Sequence, residues 1–139
     1  MRYVGLTFLA ALVLASGATA SLTKSNSLHA TLLGKSETPK GDPDGRGTAE
    51  IKITGRRVCW EIKVSGVQTI VAAHIHKGRP GAAGPVVVPF GKVFKAKGCT
   101  TTTAAIAAAI QKTPSAYYVN VHNAKYPGGA LRGQLRSDA

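Results

Sequence analysis

The sequence predicts an all-β domain: an antiparallel β-sandwich or small barrel with one short helix in a connection. Apolar and polar residues alternate with a period of two over several short segments, most clearly over 48–54 and 58–64. Clusters of Gly and Pro separate these segments, as in 39–47 and 78–85. Short alternating strands with frequent turns favour packed sheets over a helical bundle.

The first half of the chain predicts three strands. A first strand is expected at 29–33, before the turn-rich segment 39–47. The segments 48–54 and 58–64 each place their apolar residues on one face and their polar residues on the other. Because Gly55-Arg56 forms a tight turn between them, these two strands are expected to make a β-hairpin.

The second half predicts four further strands and the helix. The strands are expected over 71–76, 86–88, 117–122 and 130–135. The Ala-rich segment 104–112 follows threonines at 100–103, which predicts a short helix with a threonine cap. Pro114 is expected to end this helix, and the turn 127–129 is expected to join the last two strands.

The N-terminus has the features of a signal peptide. Arg2 supplies a positive start, 6–15 is apolar, and Ala18-Thr19-Ala20 is a small-x-small cleavage site. The apolar run is shorter than the roughly 20 residues that span a bilayer, although an uncleaved anchor is the alternative. We therefore predict a signal peptide over 1–20, a flexible tail over 21–27 and one domain over 28–136. The mature protein is expected to be secreted or periplasmic, without a transmembrane segment.

The two cysteines, Cys59 and Cys99, both lie in the predicted mature chain. In an oxidising compartment an even pair predicts one disulfide, and the alternative is two free buried thiols. Neither cysteine belongs to a CxxC or Cys/His spacing, so the sequence favours neither a redox motif nor a zinc motif.

The chain is strongly basic, with 18 Lys and Arg against 6 Asp and Glu. Such a surface attracts anionic cell-surface polymers or membrane surfaces, and the alternative is a basic surface that is merely solvated. The densest patch combines Lys92, Lys95 and Lys97 with a single aromatic residue, Phe94, and the other charges are spread along the chain. A nucleic-acid partner is therefore not expected.

Three histidines form a candidate metal site. His74 and His76 are two residues apart on one predicted strand, so both side chains project from the same face. His122 lies on a later strand and would join them if the two strands are neighbours. Imidazole suits copper and zinc, and three such ligands leave a position open. The alternative is that these rings form hydrogen bonds that fix the fold.

Two long segments resemble the chordin-type (CHRD) domain family. They are AHIHKGRPGAAGPVVVPF at 73–90 and PSAYYVNVHNAKYPGGALRGQL at 114–135, and an LxGxxE-like start at 33–37 precedes them. The resemblance extends over nearly all of the predicted mature chain. It implies an exported immunoglobulin-like or superoxide-dismutase-like β-sandwich. In animals this domain is a repeated module of an extracellular protein that binds growth factors, but that partner is not carried over to a single copy.

A weaker likeness concerns the histidines. His74-Ile75-His76 is similar to the HxH copper-ligand strand of copper/zinc superoxide dismutases, and Val121-His122 to their later ligand strand. Arg132 occupies a place like that of their anion-guiding Arg. No candidate for their bridging His follows, and no zinc loop lies between His76 and Tyr117. This likeness implies a copper site more than dismutase activity.

Two functional classes follow for the predicted domain. The first is a non-catalytic extracytoplasmic binding or structural module, in which Arg132 is a buried strut for loop carbonyls rather than an anion-binding group. The second is a copper-binding protein that uses His74, His76 and His122. No enzymatic activity is predicted, because the carboxylates are scattered and no serine lies in a G-x-S-x-G context.

Overall fold

The fold is described by a computed structural model that covers residues 27–138. Within this part of the chain the strands are β1 (Ser27–Leu33), β2 (Arg46–Thr54), β3 (Arg57–Ser65), β4 (Ile70–Lys77), β5 (Val86–Pro89), β6 (Lys97–Thr101), β7 (Tyr117–Asn123), β8 (Leu131–Gln134) and β9 (Arg136–Ser137). One helix, α1 (Ala104–Lys112), and two 3-10 turns, Gly34–Ser36 and Pro114–Ala116, complete the secondary structure of these residues.

The strands form one antiparallel sheet in the order β5-β4-β7-β8-β1-β2-β3-β6. Its two four-stranded halves join where Leu33 of β1 pairs with Arg132 of β8. Strand β9 pairs with the beginning of β1. The sheet is therefore nearly closed around a core, and the predicted all-β sandwich with one short helix is confirmed.

The period-two pattern decides which side chains fill the core. In the hairpin of β2 and β3, the buried apolar residues alternate with exposed or half-buried polar ones, as predicted. The two halves of the sheet also pack against each other across the core, where Trp60 of β3 stacks on Phe90 with ring centroids 4.5 Å apart. Helix α1 begins at Thr103, whose side chain accepts a hydrogen bond from the Ile106 amide, and it buries Ala107 and Ile110.

Strand β6 was not predicted from the sequence. Its residues, KGCTT, carry no apolar alternation, and their threonines were assigned to the cap of the helix. The strand forms because it pairs in register with β3, which places Cys99 directly opposite Cys59. The Sγ atoms of these cysteines are 2.13 Å apart, within bonding distance. The pair fastens the edge strand β6 to the body of the sheet.

The predicted signal peptide over 1–20 and most of the predicted tail over 21–27 lie outside the described residues. Ser27, assigned to the tail from the sequence, is the first residue of β1, where it pairs with Lys52. Helix α1, at 9 residues, is too short to cross a bilayer, and none of the helices between residues 27 and 138 is long and apolar enough to do so.

Candidate functional site

A second buried layer lies on the outer face of the sheet, opposite the core. It is built by polar and aromatic side chains that alternate with the core residues of β4, β7 and β8. Strand pairing sets these side chains in rows: His76 opposite Tyr118, and His74 opposite Asn120, which in turn lies opposite Arg132. Tyr118, Asn120 and Arg132 are each at most 3% exposed, although they face away from the core.

Gly- and Pro-rich loops cover this layer and supply carbonyl groups to it. Nδ1 of His76 lies 2.9 Å from the Gly84 carbonyl oxygen, and Nδ1 of His122 lies 2.9 Å from that of Pro127. Gly84 is required for this close approach, because a Cβ there would lie 1.7 Å from the carbonyl oxygen of Lys77. The loop chemistry predicted from the sequence thus positions the histidine rings.

The three predicted histidines come together. One ring nitrogen from each of His74, His76 and His122 lies within 4.8 Å of the others. His74 Nδ1 is 3.1 Å from His122 Nε2, and the ring centroids of His74 and His76 are 5.5 Å apart. Since β4 and β7 are neighbouring strands, the condition on which the sequence-based hypothesis depended is met.

The carbonyl contacts determine which nitrogens carry protons. A ring whose Nδ1–H donates to a carbonyl keeps a lone pair on Nε2, as in His76 and His122. His74 Nδ1–H can then donate to His122 Nε2. Nε2 of His76 is buried and has no hydrogen-bond partner among residues 27–138. Two lone pairs are therefore held in fixed directions, and that of His76 is available to a ligand.

Burial keeps all three imidazoles neutral. The pKa of His74 is lowered to about 4, first by burial and then by the nearby His122 and His76 rings. Burial also lowers the pKa of His76 and that of His122, although the carbonyl contact of each ring opposes this shift. Neutral imidazole is the form that binds metal ions.

A buried ion pair lies beside the histidines. Nε and Nη2 of Arg132 each lie 3.0 Å from Oε2 of Glu37, and Nη1 donates to the Ala82 carbonyl at 2.7 Å. Asn120 donates to the other carboxylate oxygen of Glu37. Burial raises the pKa of Glu37, and the positive charge of Arg132 opposes that rise.

Tyr118 connects this ion pair to the histidines. The guanidinium carbon of Arg132 lies 4.0 Å from the centroid of the Tyr118 ring, a cation–π contact. His76 stacks on the same ring, with centroids 4.9 Å apart and an interplanar angle of 8°. The Tyr118 hydroxyl accepts a hydrogen bond from the Gly84 amide. The loop, Tyr118 and Arg132 thus jointly fix the position of the His76 ring.

Arg132 contacts a loop carbonyl, the role that sequence analysis favoured over anion binding. Its ionic partner Glu37 was missed, although the LxGxxE-like start at 33–37 contains it. A glutamate before a turn-rich loop is typical of solvent-exposed positions, so burial of this one could not be inferred from its neighbours. Cys59 and Cys99 lie on β3 and β6, away from the histidine strands β4 and β7 in the order of the sheet.

Comparison with known families supports the resemblance drawn from the sequence. The CHRD domain profile matches residues 28–135, which include every strand from β2 to β8 and almost all of β1. No curated protein and no solved structure matches the chain at a significant level. Because the match covers 108 of the 139 residues, the chain belongs to the CHRD domain family.

Proposed function

We propose that this protein is a non-catalytic extracytoplasmic binding module that holds one copper ion through His74 Nδ1, His76 Nε2 and His122 Nε2. Copper would replace the hydrogen bond between His74 and His122, and the proton of His74 would then lie on its Nε2. The proposal rests on one observation: three neutral imidazoles share a small site, and buried Nε2 of His76 has no partner in the described part of the chain. A bare lone pair beside two other imidazoles is what a metal ion would satisfy.

One pair of the three nitrogens already has the separation found at a first-row transition metal. Two imidazole nitrogens at about 2.0–2.1 Å from a tetrahedral ion are about 3.3 Å apart, close to the separation of 3.1 Å between His74 and His122. Backbone carbonyls already orient His76 and His122 through their second nitrogens. Such outer contacts fix the tautomer and ring direction of metal-binding histidines.

The donor set favours copper among the available metals. Imidazole nitrogens suit copper and zinc, whereas magnesium and calcium prefer oxygen ligands. At a given nitrogen site, Cu²⁺ binds more tightly than Zn²⁺ in the Irving–Williams order. The chain has four histidines in all, and His29 instead contacts Asp138 at 2.9 Å. A fourth imidazole like the bridging ligand of dismutases is therefore lacking, which supports binding rather than dismutation.

Removing single histidines tests the proposal. His74→Ala and His122→Ala are each expected to weaken copper(II) binding by at least about 100-fold, because each removes one of three ligands. Isothermal titration calorimetry with copper glycinate measures the affinity, and electron paramagnetic resonance reports nitrogen coordination in the unmodified protein. The matched control is His29→Ala, which removes an imidazole outside the site and is expected to leave the affinity unchanged.

Circular dichroism and thermal unfolding establish that each variant is folded before its affinity is compared. Equal, weak copper binding by the unmodified protein and both variants would refute the metal site. Loss of binding in His29→Ala but not in His122→Ala would place the copper elsewhere on the protein.

The pH dependence provides a second prediction. Protonation removes the lone pair that binds the metal, so affinity falls as the pH falls through the pKa of each ligand. Three imidazoles with the ordinary pKa of about 6.5 would together lose about a thousandfold in affinity by pH 5.5. Because the pKa of His74 is about 4 and those of His76 and His122 are also lowered, we expect less than about a hundredfold loss between pH 7.5 and 5.5. Competition titrations at each pH measure this loss, and a thousandfold loss would contradict the buried, neutral site.

Two observations support the extracytoplasmic location in this proposal. Residues 1–20 have the pattern of a cleavable signal peptide, and Cys59 and Cys99 are placed to form a disulfide, which is stable outside the reducing cytoplasm. N-terminal sequencing of the exported protein is expected to begin at residue 21. Recovery of the intact N-terminus with the membrane fraction would show an anchored protein instead.

A further inference from the structure

We infer that the outer face of β1 and β2 carries a second binding site, a basic groove for an acidic polysaccharide. This basic groove is distinct from the copper site. Its exposed cations are principally Lys35 of the first 3-10 turn, Arg46 of β2 and Lys63 of β3, and hydroxyl side chains and the half-buried Leu33 and Val64 also line it. The inference does not rest on the proposed copper function, because the groove contains none of the three histidines, although one of its depressions borders the Glu37–Arg132 ion pair.

The groove is continuous because its three depressions share lining residues. The first, of about 420 Å³, and the second, of about 460 Å³, meet at Lys35. The second and the third, of about 450 Å³, meet at Leu33 and Arg46, and Thr31 lines both the first and the third. The three depressions are therefore adjacent, and a linear polymer could contact them in succession.

The third depression is formed by two rows of outward side chains across β1, β2 and β3. One row is Thr31, Thr48 and Lys63, and the next is Leu33, Arg46 and Ser65. Adjacent strands are about 4.8 Å apart, so each row is about 10 Å wide, near the size of two sugar rings. Hydroxyl groups beside cations offer both hydrogen bonds and charge to sugars that carry carboxylate or sulfate.

The charge along the groove is only partly neutralised by acidic residues. Asp44 is exposed and lines the same depression as Lys35 and Arg46, and Glu61 pairs with Lys63. Glu37 is buried against Arg132, and Asp42 is 6% exposed. Glu61 is held between Lys63 and Lys97, at 3.2 and 3.0 Å. In contrast, Lys35 and Arg46 at the junctions of the groove are exposed. The groove therefore presents a positive potential to an anionic polymer.

The lining favours a polysaccharide over other polyanions. Proteins that bind single-stranded nucleic acids use aromatic side chains on which bases stack, yet none of the residues lining the three depressions is aromatic. Membrane-surface binding adds apolar side chains that enter the lipid. The exposed large hydrophobic residues of the described chain, Val71, Val86 and Val93, do not line the groove.

Binding of the full mature chain to immobilised dextran sulfate tests the inference, with neutral dextran as the reference. The double variant Lys35→Ser/Arg46→Ser is expected to bind about tenfold more weakly, and the affinity of the unmodified protein is expected to fall as salt rises. The matched control is Lys92→Ser/Lys95→Ser, which removes the same charge from an exposed loop outside the groove and is expected to bind within about twofold of the unmodified protein.

Equal weakening in both double variants would show that net charge alone attracts the polymer, and it would overturn the groove. No binding to dextran sulfate at low salt would also overturn it. Tighter binding to duplex DNA or to phosphatidylserine vesicles than to dextran sulfate would assign the surface to another partner. Copper affinity, measured in parallel, is expected to be unchanged in both double variants, so failure of the groove and failure of the copper site are distinguished.

Discussion

Replacing Arg132 by Met is expected to destabilise the domain by about 3–5 kcal/mol, because it leaves the buried Glu37 carboxylate without its cation. The same substitution removes the hydrogen bond to the Ala82 carbonyl and the cation–π contact with Tyr118. Urea unfolding followed by far-ultraviolet circular dichroism measures the change in the free energy of unfolding. The matched control is Arg136→Met, an exposed arginine two residues beyond the end of β8, for which less than about 0.5 kcal/mol is expected.

The pH dependence of this variant distinguishes a lost charge partner from lost packing. Without Arg132, burial is expected to raise the pKa of Glu37 further above its unfolded value. When the pKa of a group is higher in the folded state than in the unfolded state, the group stabilises the fold fully at pH values below its pKa in the unfolded state. This contribution is lost as the pH rises through its pKa in the folded state. The deficit of Arg132→Met is therefore expected to be smaller at pH 5 than at pH 8.

The double variant Glu37→Leu/Arg132→Met completes the thermodynamic cycle. Since apolar replacement of a whole buried ion pair is often nearly neutral, the double variant is expected to cost less than the sum of the two single variants. A cost for Arg132→Met no larger than that for Arg136→Met, or additive single effects, would show that the pair does not stabilise the fold.

Removing the link between Cys59 and Cys99 is expected to cost about 4 kcal/mol in the chain-entropy model. The two cysteines are 40 residues apart, and the connection between them contains β4 and β5, so the reduced unfolded chain gains much conformational freedom. The variant Cys59→Ser/Cys99→Ser tests this expectation by urea unfolding.

Thr101→Ser serves as the control, because it changes an exposed side chain of β6 without touching the link. Adding dithiothreitol is expected to lower the stability of the unmodified protein to that of the double serine variant and to leave that variant unchanged. Equal stability of the unmodified protein with and without reductant would contradict a stabilising disulfide.

Local sequence patterns predicted most of the fold. Period-two alternation over 48–54 and 58–64 identified the hairpin of β2 and β3 and the face of each strand that enters the core. Turn chemistry located the loop at 78–85, and the threonine before the Ala-rich segment located the start of α1. Strands β6 and β9 were missed, because short edge strands without apolar alternation form through pairing with a neighbour rather than by their own pattern.

The candidate site was predicted in part. The spacing of His74 and His76 placed both rings on one face, and phase alone offered His122 as a third member. Sequence could not show that β4 and β7 are neighbours, since pairing between strands about 40 residues apart depends on the topology of the whole sheet. Nor could it show that Glu37 is buried against Arg132.

The sequence by itself determined that this chain is a sheet protein of the CHRD family, which side chains of the β2–β3 hairpin enter the core, and which histidines share a strand face. These properties follow from backbone geometry repeated every two residues, which any short segment carries within itself. Only the tertiary structure decided that loop carbonyls fix the rings of His76 and His122, and that a buried ion pair supports them. Those contacts join residues far apart in the chain, and burial of polar groups is favourable only when all their partners are assembled together.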